Sequence, residues 1–170
     1  MAMISLMAAV LCVIGPATIP AGLVPVTLLP FALYMVSYVA GMWKATVSCL
    51  IYLCIGMVGL PVFSGYGAGP GVLLGPTGGY LIGYLLITLC SGYFIQTYSL
   101  KRMHLLGMVT GLMLCYLIGS FRLSFVAQMS FRQALLVGVV PYMIFDVIKI
   151  AVALMLGPVF RKHLYKANVI

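Results

Sequence analysis

The chain of 170 residues is 65% hydrophobic and only 6% charged, and its mean hydropathy is +1.25. No water-soluble domain of this size could bury so much apolar surface, so the composition excludes a soluble globular protein and indicates an integral membrane protein. The formal net charge of +8 does not indicate nucleic-acid binding, because the basic residues are scattered at the ends of apolar stretches without stacking aromatic partners. A spanning helix takes about 20 apolar residues, so roughly six spans are expected.

Charged residues and prolines divide the first hundred residues into four predicted spans. Residues 1–43 hold two short spans, separated by the proline-rich segment GPATIPAGLVP (15–25). The opening stretch MAMISLMAAVLCVIG is interpreted as the first span and not as a signal peptide, because no basic region precedes its apolar run. Residues 45–100 hold two more spans. The residues that remain beyond the length of two spans are assigned to the Gly/Pro-rich segment 59–76, which is predicted to be a loop without helix.

Two further spans complete the predicted bundle. The fifth covers 103–121, between Arg102 and Arg122, and the sixth runs from about Gln133 to Phe160. The predicted fold class is therefore all-α: a single transmembrane domain over residues 1–170, built as a bundle of six transmembrane helices.

The basic residues at the ends of these spans fall mostly on one side of the membrane. Six of them lie at every second turn between spans or near the C-terminus: Lys44, Lys101, Arg102, Arg161, Lys162 and Lys166. Only Arg122 and Arg132 fall on the other side. Cytoplasmic loops carry an excess of Lys and Arg, so both termini are predicted to be cytoplasmic and the 59–76 loop external.

The only acidic residue of the chain lies inside a predicted span. Asp146 is part of VVPYMIFDVIKIAVALMLGP (139–158), and Lys149 follows three residues later. At this spacing both side chains project from one face of a helix. An unpaired ion in hydrocarbon costs several kcal/mol, so the pair is interpreted as a functional site. The alternative is a structural ion pair that pins the helix to its neighbours.

The segment VLLGPTGGYLIGY (72–84) places glycines and a proline at the external end of the fourth span. Pro76 can begin a helix, because the first N–H groups of a helix have no intrahelical partner in any case. Gly75, Gly78 and Gly79 have no Cβ, so their backbone can approach a ligand or a neighbouring helix closely. Helix packing through small residues four apart is the alternative interpretation.

Four other polar residues are candidates for ligand binding by their location. Ser64, Thr77 and Tyr80 lie in the external loop or in the helix that follows it. Tyr142 precedes Asp146 by one helical turn and shares its face. Packing is the alternative role for each of the four.

No metal site, cofactor or catalytic centre is predicted. The five cysteines occur singly in apolar stretches and are interpreted as small core residues, and His104 and His163 are expected to be solvated at the ends of spans. The chain has no GxxxxGK[ST] motif to hold ATP, and its single acid is too few for a metal-dependent phosphotransferase. The chain is therefore predicted not to be an enzyme.

Three segments of the chain together resemble one known family. GLPVFSG (59–65), GVLLGPTGGYLIGY (71–84) and VVPYMIFDVIKI (139–150) resemble the BioY family, the biotin-specific substrate-binding (S) component of energy-coupling factor (ECF) vitamin transporters. TIPAGLVPVTL (18–28) is similar to the family's IP…VPITL segment, so the likeness covers nearly the whole chain. The resemblance implies a six-helix bundle in the bacterial cytoplasmic membrane that binds biotin near its outer face. It also implies assembly with a transmembrane coupling subunit and two ATPase subunits.

The chain departs from the family pattern at two places. Leu29 stands where the family usually has Gln, and Ile144-Phe145 replaces a Pro-Gly pair before Asp146, which predicts a straighter start to the last helix. The family's A-x-x-x-A contact motif for the coupling subunit aligns with Ser5 and Ala9. These are also small residues four apart, so the resemblance implies that they contact the partner.

The chemistry of biotin fits the candidate residues. Its ureido ring offers two N–H donors and a carbonyl acceptor, so Asp146 can accept an N–H while Lys149 donates to the C=O. A competing assignment sends Lys149 to the carboxylate of biotin. Tyr80 can stack on the bicyclic ring. The alternative function is a solitary secondary carrier for biotin or a related vitamin, coupled to an ion through Asp146.

Overall fold

The structure is a computed structural model that describes residues 1–19 and 25–166, with the backbone alone at 165 and 166. Residues 20–24, within the predicted break between the first two spans, lie outside the described residues. Seven α-helices are described, here named in chain order: α1 (Ala2–Ile14), α2 (Leu29–Val58), α3 (Pro70–Leu74), α4 (Gly78–Thr97), α5 (Lys101–Val126), α6 (Phe131–Gly138) and α7 (Val140–Lys166). A two-residue antiparallel ribbon pairs β1 (Thr18–Ile19) with β2 (Val26–Thr27).

Four of the described helices are long and apolar enough to cross a membrane. They are α2, α4, α5 and the Val140–Leu164 part of α7, and α1 is a shorter apolar helix. The interior is formed mainly by α4, which packs against α5 along its length and against α2 on another face. This arrangement is the all-α membrane bundle that the composition predicts.

The long helix α2 is folded back on itself at Gly41. This residue has φ 75° and ψ 178°, a conformation that interrupts a helix and that glycine adopts readily. Before Gly41, the hydroxyl oxygen of Ser37 lies 3.1 Å from that of Ser91, and after it the hydroxyl oxygen of Thr46 lies 3.2 Å from that of Thr88. The two limbs of α2 therefore run in opposite directions, and both pack along α4.

With α2 counted as two limbs, the described residues make six passes: α1, the two limbs of α2, α4, α5 and α7. The two ends of the bundle are named here by the ends of α4. The Gly78 end holds the C-terminus of α1, the start of α2 and the start of α7. The Thr97 end holds Gly41, the start of α5 and the C-terminus of α7. The six-span expectation is confirmed, with a turn of one glycine between the second and third passes.

Close contact between α4 and α5 depends on two glycines. A Cβ on Gly83 would lie 2.8 Å from the Cα of Cys115, and one on Gly79 would lie 2.7 Å from the carbonyl oxygen of Ile118. Neither distance is compatible with a real side chain, so both positions require glycine for the helices to touch.

Two sequence predictions about helix boundaries were wrong. The 59–76 segment was expected to contain no helix, yet it holds a 3₁₀ turn at Ser64–Tyr66 and the short helix α3, because Pro70 is well suited to a first helical position. The sixth span was expected to run unbroken from Gln133. Instead a capping box at Ser130 starts α6, and the non-helical Val139 (φ −128°, ψ −53°) separates it from α7.

His104 was expected to be solvated, and the structure corrects this expectation. The side chain is buried, with 6% of its surface exposed, because the first turns of α5 face the first limb of α2. The Tyr38 hydroxyl lies 3.1 Å from Nδ1, and Nε2 donates to the Tyr98 carbonyl at 2.8 Å. These protein groups replace the water that a histidine at a helix end would otherwise bind.

Candidate functional site

A cavity lies at the Gly78 end, between the first limb of α2 and helices α4, α5 and α7. Its wall combines four tyrosines, an ion pair, a threonine and aliphatic side chains. The polar and aromatic members are Thr27, Tyr80, Tyr84, Tyr116, Tyr142, Asp146 and Lys149. The cavity is therefore lined mainly by aliphatic side chains and tyrosines, with one charged pair in its wall, an arrangement typical of a small-molecule site.

The charged pair is formed as the spacing predicts. Lys149 Nζ lies 2.6 Å from Asp146 Oδ1, one helical turn away on α7, and both side chains are about one-tenth exposed. Tyr116, on α5, donates its hydroxyl to the other carboxylate oxygen, Oδ2, at 2.5 Å. Each carboxylate oxygen keeps a second lone pair, and the ammonium keeps two further protons, so both groups can still bind a ligand.

Tyr116 is a site residue that the sequence analysis did not identify. It lies in the middle of the fifth span, among aliphatic residues and 30 positions before Asp146. Its only sequence signal is a phenolic hydroxyl at a depth where each polar group needs a partner. Because the contact joins two separate helices, local spacing could not have revealed it.

Tyr80 is fixed between two helices at the edge of the cavity. Its hydroxyl donates to the carbonyl of Gly138 at 3.1 Å, and its ring lies on Gly119, where a Cβ would come within 2.3 Å of the ring. Tyr84 and Thr27 have their hydroxyl oxygens 3.5 Å apart, which ties the segment before α2 to α4. These contacts fix the positions of two of the four tyrosines that line the cavity.

The predicted site residues fall into three groups in space. Asp146, Lys149, Tyr142 and Tyr80 line the same cavity. Ser64 and Thr77 line an adjoining hollow, which shares Thr27, Tyr80 and Tyr84 with the first. The three glycines Gly75, Gly78 and Gly79 are not part of either wall.

The positions of the glycines favour the packing interpretation. A Cβ on Gly78 would lie 1.7 Å from the carbonyl oxygen of Leu73, and one on Gly75 would lie 3.1 Å from that of Gly71. Gly79 contacts α5, as described above. These residues shape the loop and the helix contact next to the cavity, and their direct contact with a ligand stays a prediction.

Arg122 is a second residue that the sequence analysis did not assign to this region. Its Nη2 donates to the carbonyl of Leu74 at 2.7 Å, which links α5 to the end of α3. The guanidinium thus fastens the 59–76 segment beside the cavity. Among the described residues, no group of three His, Cys, Asp or Glu side chains is placed to hold a metal.

Comparison with known proteins identifies the family. A family model described as the BioY family matches residues 1–166. The chain belongs to the BioY family. The Biotin transporter BioY of Thermotoga maritima is 37% identical over 145 residues, which are 85% of each chain. Biotin transporter BioY2 of Lactococcus lactis is 32% identical over 167 residues, covering 98% of this chain and 92% of the relative.

A solved structure has the same fold as this BioY-family chain. It is the crystal structure of the S-component for biotin from an ECF-type ABC transporter, with 26% sequence identity and a TM-score of 0.85. The match covers 95% of this chain and 89% of the other. Helix α7 is continuous through Ile144 and Phe145, in agreement with the straight start that the sequence predicts.

Proposed function

We propose that the chain binds biotin at the cavity of the Gly78 end and mediates its uptake as the S component of an ECF transporter. The observation that carries this proposal is the buried Asp146–Lys149 pair in a wall otherwise made mainly of tyrosine and aliphatic side chains. A cyclic urea presents N–H donors and a carbonyl acceptor side by side, which matches a carboxylate and an ammonium side by side. Tyr116 orients the carboxylate from the opposite helix.

The tyrosines of the wall suit the remainder of the ligand. Tyr80, Tyr84 and Tyr142 provide flat apolar surface for the fused rings of biotin. In this pose Asp146 accepts from a ureido N–H, and Lys149 donates to the ureido carbonyl. The competing pose, with Lys149 on the biotin carboxylate, is separated from it by an experiment given in the Discussion.

We further propose that α1 contacts the transmembrane coupling subunit through Ser5 and Ala9. Both residues are exposed on α1, whereas Ala8 and Leu11 on the neighbouring face are buried in the bundle. Small exposed residues four apart allow a second helix to approach closely. In this arrangement the two partner ATPase subunits hydrolyse ATP.

The proposed location is the bacterial cytoplasmic membrane, with both termini and the Thr97 end facing the cytoplasm. Lys44, Lys101, Arg102, Arg161 and Lys162 are all near the Thr97 end, which supports this orientation. Biotin would then enter the cavity from outside the cell, at the Gly78 end.

Equilibrium binding of labelled biotin to the purified chain tests the substrate. We expect saturable binding by the chain alone, without the coupling subunit or ATPases. No binding at micromolar biotin, with the protein shown to be folded, would refute the assignment. Uptake into vesicles then separates the two transport modes, because an ECF component needs the partner subunits and ATP, whereas a solitary carrier needs neither.

A further inference from the structure

A second cleft lies at the Thr97 end, on the opposite end of the bundle from the biotin cavity. It is open to the surface and lies between the first limb of α2, the end of α4, the start of α5 and the end of α7. Its polar lining includes Tyr38, Gln96, Ser99, His104, Arg161 and Lys162. A smaller hollow beside it is lined by Lys44 and again by Arg161.

Among the side chains that the structure describes, the positive charge around this cleft has no counter-charge. The one acidic residue, Asp146, is paired with Lys149. It also precedes Arg161 by 15 residues of α7, a distance of roughly 22 Å along the helix. Arg161, Lys162 and the nearby Lys44 are therefore left to attract an anion from outside the protein.

The start of α5 concentrates this positive potential further. Lys101 and Arg102 occupy the first turn of the helix, which has no acidic residue and no side-chain cap. The helix macrodipole is itself positive at that end, and the first backbone N–H groups have no intrahelical acceptor. Two cations at this position are unfavourable in isolation, and a bound anion relieves the repulsion.

The cleft wall holds Arg161 in place while leaving donors available. Arg161 Nη1 donates to the Ile95 carbonyl at 2.7 Å, which leaves other guanidinium N–H groups for a ligand. His104 has both ring nitrogens occupied, by Tyr38 and Tyr98, so it forms the wall and does not supply a donor. A fixed guanidinium beside an ammonium is an arrangement suited to a phosphate group.

We propose that this cleft binds the phosphate-bearing headgroup of an anionic phospholipid. The cleft lies where the helices end, and exposed apolar side chains are next in sequence to the residues of this region: Trp43 beside Lys44, Leu100 beside Ser99 and Phe160 beside Arg161. Such residues at the ends of spans lie at the membrane interface, where acyl chains can pack on them while the headgroup enters the cleft. An inorganic phosphate would make no use of this apolar rim, and a concave cleft suits a headgroup better than a protein surface.

Lipid titration of the purified full chain tests the proposal. Bound lipids are counted by native mass spectrometry with phosphatidylglycerol and, separately, phosphatidylcholine, which carries no net charge. We expect tighter binding of phosphatidylglycerol, weakened about fivefold by Lys162→Gln. Lys162 is exposed and the change should leave biotin binding, and hence the fold, intact.

Arg132→Gln is the matched control, because it removes the same charge from an exposed position at the Gly78 end. It should leave the affinity for phosphatidylglycerol unchanged. Equal losses in the two variants, or equal binding of the two lipids, would overturn the proposal. Full competition by millimolar inorganic phosphate would assign the cleft to free phosphate instead. If neither lipid is preferred but Lys162→Gln prevents copurification with the coupling subunit, the cleft is a protein contact and the lipid proposal is wrong.

Discussion

Replacing Asp146 by Asn tests the proposed biotin site most directly. The variant keeps the shape of the side chain but removes the negative charge that Tyr116 and Lys149 both contact. A hydrogen bond to a charged group contributes about 1.5–3 kcal/mol, so the affinity for biotin should fall about 10- to 150-fold. Isothermal titration calorimetry on the purified protein measures the change. An affinity within twofold of the unmodified chain, with the protein folded, would refute the role of Asp146 as an acceptor.

Removing the hydrogen bond from Tyr116 to Asp146 perturbs the same site less severely. Tyr116→Phe removes only the hydroxyl that holds Asp146 Oδ2, so Asp146 keeps its charge and its bond to Lys149. We expect a loss of affinity smaller than that of Asp146→Asn, because the carboxylate is less well oriented but still present. Tyr93→Phe, at a half-exposed position on α4, is the matched control and should bind biotin normally. If the two tyrosine variants behave alike, Tyr116 does not position the carboxylate.

Replacing Lys149, the other member of the ion pair, distinguishes a structural role of the pair from a role in binding biotin. Lys149→Met should weaken biotin binding and leave Asp146 without its ionic partner. If the pair is only structural, the double exchange Asp146→Lys with Lys149→Asp should restore both thermal stability and binding. If both residues contact the ureido ring, the exchange can restore stability but not binding, because donors and acceptors then face the wrong ligand atoms.

Three further predictions concern topology, assembly and folding. In a background without native cysteines, Cys at Gly67 should react with an impermeant thiol reagent from outside the cell and Cys at Lys166 should not; reversed labelling would overturn the orientation. Ala9→Trp should prevent copurification with the coupling subunit while biotin binding stays nearly intact, and loss of binding with assembly preserved would contradict this division of roles. Gly41→Ala should lower the free energy of unfolding by about 1–3 kcal/mol in a thermal or denaturant melt, since φ is +75° there. Gly71→Ala, where a Cβ meets nothing within 4 Å, is the control, and an equal effect of both changes would show that the turn at Gly41 is not strained by a side chain.

The number of passes could be predicted from the sequence because a bilayer fixes the length of a spanning helix. Charged residues cannot lie deep in hydrocarbon without a partner, so Lys44 and Lys101 mark the ends of spans without any knowledge of packing. The turn between the second and third passes falls at Gly41, three residues before the charge that predicted it. The start of α6 was missed because its signal is a capping box at Ser130, which lies in a weakly apolar stretch.

In the candidate site, too, local spacing predicts some contacts, whereas others depend on how distant helices pack together. The Asp146–Lys149 contact depends only on a spacing of three residues within one helix, so the sequence predicts it. The contact of Tyr116 with Asp146 depends on the rotation of α5 relative to α7, which no local pattern encodes. For Gly79, spacing allowed either ligand approach or helix packing, and only the face of α4 that meets α5 distinguishes the two.

Charge balance inside the membrane favours the ureido assignment for Lys149. Asp146 and Lys149 are 2.6 Å apart and neutralise each other at a depth where little water reaches them. A neutral ureido ring can bind beside the pair without adding charge to the span, whereas a biotin carboxylate on Lys149 would place a second anion next to Asp146. The amide of biotin decides between the two poses, because it lacks the carboxylate charge but keeps the ureido ring. Under the ureido assignment Lys149→Met should cost similar affinity for biotin and for its amide, and a loss confined to biotin would place Lys149 at the carboxylate.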